Sequence, residues 1–373
     1  MIKPEEFYKT LINKGLDTFF GVPDSLLKDI CAYITSHSKP EKHIITANEG
    51  NAVAMAAGYY LATSKPAVVY MQNSGLGNAV NPLLSLADEL VYKIPMLLII
   101  GWRGEPGVHD EPQHIKQGMK TLSLLETMDI EYAILTNEFE KDISKAVEYM
   151  KTEKKAYALV IKKNTFSKYP LGFLNNNYAM SREEVIEELL NNFDDNGVVV
   201  STTGKTSREI FECREKRNEG HEKDFLTVGS MGHAASIAFG ISLKYNNKVY
   251  CIDGDGSMIM HMGSHGIIAK NANDNYKYIL INNGAHESVG GQPTIGFDID
   301  IEKVLIGLGF EKVIQVSTKE ELNKKFKEFN MFKKTALVIN VKIGSKDDLG
   351  RPTKTPQENK EDLMRFIKEI TIE

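Results

Sequence analysis

Cys251-Ile-Asp-Gly-Asp-Gly-Ser-Met258 is an apolar run that ends on Asp253 and breaks into Gly-Asp-Gly. An apolar strand that stops this abruptly needs backbone freedom. Gly254 and Gly256 supply it, and they let the chain approach a ligand closely. Asp255 then projects from the carboxyl end of the strand, where open α/β sheets bind ligands. A helix is expected to start near Ser257, with free N–H groups suited to a phosphate. The next strand, Tyr278-Ile-Leu-Ile-Asn-Asn-Gly-Ala-His286, ends on Asn282-Asn283 and sets amide oxygens beside Asp255. A carboxylate, an amide oxygen, a backbone carbonyl and phosphate oxygens make the all-oxygen octahedron that Mg²⁺ prefers. An EF-hand loop starting at Asp253 is excluded, because Met258 stands where it needs Gly and Ser264 where it needs Glu.

Working outward, short apolar runs alternate with amphipathic stretches along the whole chain. Strands are expected at Asp17–Gly21, His43–Ala47, Ala67–Gln72, Pro95–Gly101, Glu131–Leu135 and Ala156–Ile161. Six more are expected at Gly197–Ser201, Phe225–Val228, Val249–Asp253, Lys277–Asn282, Glu311–Gln315 and Ala336–Val341. Helical patterns between them include Asn51–Thr63, Phe139–Lys151, Arg182–Asn192, Glu320–Phe329 and Gln357–Ile370. Strands apolar on both faces, each followed by a helix, mean parallel sheets covered on both sides, an α/β fold. The alternation lapses at Lys162–Ala179, which reads as a linker between two domains. A length of 373 residues fits that division. The net charge of −5, without a basic block, argues against nucleic-acid binding. The apolar run at Ile94–Ile100 is too short to span a bilayer. Met1–Glu6 has no apolar core of an export signal, and Cys31, Cys213 and Cys251 are scattered, so a cytoplasmic protein is expected.

Other turns carry candidate chemistry. Thr202-Thr-Gly-Lys-Thr-Ser207 mimics a phosphate-binding loop, but Val199 replaces its first glycine. It reads either as a second anion-binding turn with Thr206 or Ser207 donating, or as a plain helix cap. Gly75-Leu-Gly77-Asn-Ala-Val80 lacks the third glycine of a dinucleotide fingerprint, and close helix–strand packing is the other reading of Gly75. Glu49, in Asn48-Glu-Gly-Asn51, stands where a strand passes into a helix and would by itself favour a helix N-terminus. His109, His114 and His286 fall on or just after loops at strand ends. Each is either a proton carrier near neutral pH or a structural histidine. Asp110 and Glu111 could orient the first two. Arg351, Lys354 and Lys360 form a cationic run near two prolines, and Lys205 and Arg103 lie on loops after strands. Any of these would suit an anionic substrate.

Gly254-Asp-Gly-Ser257 with Asn282-Asn283, joined by Gly229-Ser-Met-Gly232 and Asn48-Glu-Gly-Asn51, resembles the thiamin diphosphate-dependent 2-keto acid decarboxylases. The resemblance implies two three-layer α/β/α domains: a pyrimidine-binding domain over 1–165, a linker over 166–180 and a diphosphate-binding domain with a tail helix over 181–373. It also implies no central third domain. It names thiamin diphosphate and Mg²⁺ as cofactors, with Asp255, Asn283 and the Ala285 carbonyl as metal ligands. Gly254, Gly256, Ser257, Thr206, Ser207 and Gly75 would line the cofactor. Met231 would prop its bent form, and the Gly229 carbonyl would take its aminopyrimidine N–H. Glu49 would bond to N1′ and favour the tautomer that activates the thiazolium carbon. Asp24 and Ser25 would face the reacting carbon, and His114 would serve proton transfer.

Gly21-Val-Pro-Asp-Ser25, His109-Asp-Glu-Pro-Gln-His114 and Leu349-Gly-Arg-Pro-Thr-Lys-Thr-Pro356 carry the resemblance to members whose substrate bears a phosphonate. The implied reaction turns 3-phosphonopyruvate into phosphonoacetaldehyde and CO₂, toward 2-aminoethylphosphonate. Arg351, Lys354 or Lys205 would then hold the phosphonate. Sulfopyruvate is the nearest alternative substrate. The resemblance also implies at least a homodimer, with Glu49 of one chain facing Asp255 and Asn283 of another. Two further readings stay open: an NAD-dependent dehydrogenase built on the Gly75 turn, and a thiamin diphosphate-binding protein without catalysis.

Overall fold

All the expected strands form, each with its ends within two residues of expectation. The computed structural model describes residues 1–172, 175–346 and 348–372. Phe173 and Leu174, inside the expected linker, lie outside the described residues. The chain divides into two compact units, Met1–Phe173 with Ser288–Gln292, and Leu174–Glu287 with Pro293–Glu373.

In the first unit β1 (Phe19–Gly21), β2 (His43–Ile45), β3 (Val68–Gln72), β4 (Leu97–Gly101), β5 (Glu131–Ile134) and β6 (Tyr157–Ile161) form one six-stranded sheet. Its order is β2-β1-β3-β4-β6-β5, and its pairings are parallel. Alternate residues enter opposite cores. Val68, Tyr70, Leu97 and Ile99 pack on one face, and Val69, Met71, Leu98 and Ile100 on the other. Each such aliphatic side chain withdrawn from water contributes about 1.5–3 kcal/mol, which is why strands with no polar face settle between two helical layers.

The second unit repeats the architecture with β7 (Val198–Ser201), β8 (Asp224–Leu226), β9 (Val249–Gly254), β10 (Tyr276–Asn282), β11 (Lys312–Val316) and β12 (Thr335–Asn340). The order is β11-β12-β10-β9-β7-β8, again parallel. Tyr250, Ile252, Ile279 and Ile281 face one core, and Cys251, Tyr278 and Leu280 the other. In the first sheet β2 and β3 are added on opposite sides of β1, and in the second β8 and β9 on opposite sides of β7, so strand addition reverses at β1/β3 and at β7/β9. The carboxyl ends of strands at such a reversal leave a crevice. Phe166 belongs to the first core and Met180 to the second, so both ends of the expected linker are anchored. The tail helix Pro356–Ile372 lies along edge strand β8, where Asn359 Nδ2 donates to Asp224 O at 2.7 Å and Leu226 N–H donates to Asn359 Oδ1 at 3.1 Å. Among the described residues, no helix is long and apolar enough to cross a membrane.

Candidate active site

Residues from the ends of β1, β2, β3 and β4 gather at the reversal in the first sheet. Glu49 is the first residue of the helix Glu49–Thr63, two residues earlier than the periodicity suggests. Asn48 caps this helix by accepting the Asn51 N–H, and Asn78 Nδ2 donates to Glu49 Oε2 at 2.8 Å. The Glu49 carboxyl is buried against Gly75, where a Cβ would sit 2.4 Å from Oε1. Gly75 is therefore the surface on which Glu49 rests. Gly77, by contrast, lies exposed in the helix Leu76–Pro82 with open space around it. The dinucleotide reading of this turn finds no support in that geometry.

Asp24 is fully buried after β1. Its Oδ2 accepts the Leu26 N–H at 2.9 Å, and its Oδ1 accepts no hydrogen bond among the described residues. A Cβ at Gly101 would stand 2.2 Å from Asp24 Oδ2. Burial pushes the Asp24 carboxyl up to about 6, despite the Arg103 charge and the backbone N–H groups that favour its anion. Arg103, just past β4, donates Nη1 to Ser25 Oγ at 2.6 Å. Its Nε and Nη2 grip both oxygens of Asp110, at 2.8 and 2.5 Å. Asp110 Oδ1 also meets His114 Nδ1 at 2.9 Å.

Burial opposes the Asp110 charge, but hydrogen bonds from Arg103 and His114 hold that carboxyl well below its ordinary range. His114 is pushed down, chiefly by burial, so the neutral ring carries its hydrogen on Nδ1, facing the carboxylate, and leaves Nε2 as the basic atom. The structure thus brings Asp24, Ser25 and His114 together through Arg103 and Asp110. It leaves His109 exposed.

The second sheet presents a matching set. Gly254 ends β9, and Asp255 opens the short helix Asp255–Met260, so the helix begins on the acid itself and not near Ser257. Asp255 is buried, and burial pushes its carboxyl up to about 6 against hydrogen bonds from the Thr294 hydroxyl and the backbone N–H groups of Asp255, Asn283 and Gly256. Ser257 Oγ accepts from Thr202 Oγ1 at 3.2 Å and from Gly232 N–H at 3.1 Å. This joins the ends of β7 and β9 to the loop Gly229–Gly232. Met231 is half-buried, and its Cε lies 3.5 Å from where a Gly256 Cβ would be. The His286 ring crosses the same glycine, with Cε1 at 2.8 Å from that position, and burial lowers it to about 4. His286 is thus a neutral imidazole at pH 7, not a group poised near neutrality.

The helix Lys205–Lys216 follows Gly204, which adopts φ 93°. Thr206 and Ser207 are buried at its start, but the Ser207 hydroxyl lies within reach of the carbonyls of Thr202 at 2.8 Å and Thr227 at 3.0 Å. These bonds run to carbonyls and do not cap the helix, whose cap position is Gly204, a residue without a side chain. Lys205 Nζ donates to Ser345 Oγ at 2.5 Å, Lys354 pairs with Asp362 of its own tail, and Arg351 is exposed.

The residues around Asp255 fit a hard divalent cation. Beside the carboxylate stand the Asn282 and Asn283 amides, and a Cβ at Gly296 would meet Asn282 Oδ1 at 2.5 Å and Asp255 Oδ2 at 2.7 Å. Among the described residues no cluster of three His, Cys, Asp or Glu side chains could hold a metal. The donor set here is of another kind, one acid with amide and backbone oxygens. Thr294 and Gly296 escaped the sequence reading. Their only signal was the turn-forming Gly290-Gly291 ahead of them.

Two three-layer sheets, with a buried acid at a helix start in the first and Gly-Asp-Gly beside Asn-Asn in the second, define a thiamin diphosphate-binding architecture. Residues 5–124 match the family described as thiamine pyrophosphate enzyme, N-terminal TPP binding domain, and residues 202–341 match its C-terminal TPP binding domain. The chain is 30% identical to phosphonopyruvate decarboxylase of Streptomyces viridochromogenes, over 98% of this chain and 95% of that protein. It is 31% identical to phosphonopyruvate decarboxylase of Streptomyces hygroscopicus, over 96% and 92%. With sulfopyruvate decarboxylase of Methanosarcina acetivorans it shares 28% over 91% of each. The chain belongs to the thiamin diphosphate-dependent 2-keto acid decarboxylases, in the group of phosphonopyruvate and sulfopyruvate decarboxylases.

Proposed function

We propose that this chain is a Mg²⁺-dependent decarboxylase acting on 3-phosphonopyruvate, giving phosphonoacetaldehyde and CO₂ in phosphonate biosynthesis toward 2-aminoethylphosphonate. What carries the reading is similarity to two phosphonopyruvate decarboxylases over nearly the whole chain. Asp255, Asn283 Oδ1 and the Ala285 carbonyl hold the cation. Thr206 and the Gly254–Ser257 turn seat the diphosphate, Met231 and the Gly229 carbonyl hold the rings, and Glu49 bonds to the pyrimidine nitrogen. When bound, thiamin diphosphate supplies the nucleophilic carbon and the sink for the electron pair that CO₂ leaves behind.

The chain's own acids and bases move the protons. His114, with Nδ1 tied to Asp110, presents Nε2 to the reacting carbon. Asp24, its carboxyl raised to about 6, exchanges a proton readily near neutral pH. Ser25 and His109 line the approach, and Arg351, Lys354 and Lys205 are the cations offered to the phosphonate. Self-association completes the site, Glu49 of one chain serving the cofactor held by Asp255 and Asn283 of a second.

The Methanosarcina acetivorans relative supports a second reading, with sulfopyruvate as substrate. Both acids offered together to the protein with thiamin diphosphate and Mg²⁺ decide between them. Faster loss of phosphonopyruvate is expected. Faster loss of sulfopyruvate overturns the choice, and bound cofactor without CO₂ from either acid points to a non-catalytic binding protein.

A further inference from the structure

The Asn283 amide is held at both ends. Ala285 N–H donates to its Oδ1 at 3.1 Å, and its Nδ2 donates to Glu287 Oε2 at 2.8 Å. A carboxylate only accepts, so a flipped amide would set acceptor against acceptor at Glu287 and donor against donor at Ala285. Glu287 is itself fixed. Arg182 Nη1 donates to the same Oε2 at 2.8 Å, and Gly344 N–H donates to Oε1 at 2.5 Å. Arg182 in turn forks onto Glu209, at 2.5 Å from Nε and 2.9 Å from Nη2.

The three side chains are almost wholly withdrawn from water. A buried cation between two carboxylates carries a desolvation cost that apolar packing at the same place would avoid. Arg182 stands at the start of the helix Arg182–Asn192 and Glu209 in Lys205–Lys216, so the loop after β10 is pinned from two helices.

We propose that Glu287, clamped by Arg182, is the positioning residue that fixes the Asn283 amide with Oδ1 turned to a divalent cation beside Asp255. This rests on the reading of Asp255 and Asn283 as the ligands of the cofactor's metal. Glu287 acts through the Asn283 N–H and not on the cation. Partners of this kind, one bond behind a ligand, govern metal affinity by setting ligand orientation.

The test titrates full-length protein plus thiamin diphosphate with Mn²⁺ and counts free Mn²⁺ by electron paramagnetic resonance. The unaltered protein is expected to bind Mn²⁺ only when the coenzyme is present. No uptake there overturns the metal reading and this inference with it. Given uptake, Glu287→Gln is expected to weaken Mn²⁺ binding by about 10–100-fold, with thermal unfolding of the metal-free protein recorded alongside.

Because Arg182 loses a charge partner in that variant, a swap provides the second arm. Asn283→Asp alone sets two carboxylates against each other and is expected to weaken Mn²⁺, although it adds a negative charge. Adding Glu287→Gln restores a donor–acceptor pair at unchanged net charge and is expected to recover most of the loss. Unchanged binding in Glu287→Gln, tighter binding in Asn283→Asp, or a double variant no better than Asn283→Asp overturns the proposal.

Discussion

At Glu49 the carboxyl is enclosed by Gly75 on one side and the Asn78 amide on the other, so its position is set before any ligand arrives. Glu49→Gln keeps the shape and the contact with Gly75 but removes the acid. Cofactor affinity by calorimetry is expected to stay near that of the unaltered protein, while turnover falls about a hundredfold or more. Near-normal turnover would remove Glu49 from its role.

Asp110 acts differently, because its two oxygens serve Arg103 and His114 at once. Asp110→Asn removes the negative charge that strengthens the bond from His114 Nδ1–H and partly offsets burial of that ring. The His114 pKa, followed by NMR, is expected to fall further. Turnover should drop roughly tenfold to a hundredfold, less than on replacing His114 itself. An unmoved pKa would show that Asp110 serves Arg103 alone.

On the scale of elements, the helix Glu49–Thr63 and the turn after β3 touch through glycines. Gly75→Ala would drive a methyl group to 2.4 Å from Glu49 Oε1. The carboxyl is the movable partner, so stability should fall by only about 1–3 kcal/mol, while turnover falls as in Glu49→Gln. Gly77→Ala meets nothing within 4 Å and is expected to leave turnover alone, with a small gain in helix stability. Matching losses in both variants would argue against close packing as the reason for Gly75.

The same contrast shows what was legible in the letters. Central strands such as β3, β4 and β6 were visible because both of their faces are apolar, and β9 and β10 were placed side by side by the polar residues at their ends. Asp110 stood near His114 in sequence, so its orienting role was open to reading. The partner of Glu287 was not, because Arg182 lies 105 residues away and reaches it only once two helices and a loop are packed. Likewise nothing local marks Gly296 as the residue lying against Asp255, since its meaning is the absence of a side chain beside two oxygens.

At the scale of the whole molecule, each unit holds an acid that burial raises to about 6 and an imidazole that burial lowers to about 4. In the first unit Asp24 is raised from 3.8 to about 6, and His43, bonded to the Tyr70 hydroxyl, is lowered from 6.5 to about 4. In the second unit Asp255 and His286 form the corresponding pair. Between about pH 4 and 6 the folded chain holds a proton on Asp24 that the unfolded chain has released, so this group costs stability as pH rises. Over nearly the same window the unfolded chain holds a proton on His43 that the folded chain refuses, so this group costs stability as pH falls. Each shift amounts to about 3 kcal/mol at full span, and the two oppose each other.

Substitution should unmask them. Relative to the unaltered protein, Asp24→Asn is expected to lose stability on acidification from about pH 6.5 to 4, and His43→Gln to gain it. Urea unfolding of cofactor-free protein across that range measures both, and comparing variants cancels the titrations they share. Slopes of the same sign in the two variants would mean that burial does not hold these groups in the states described.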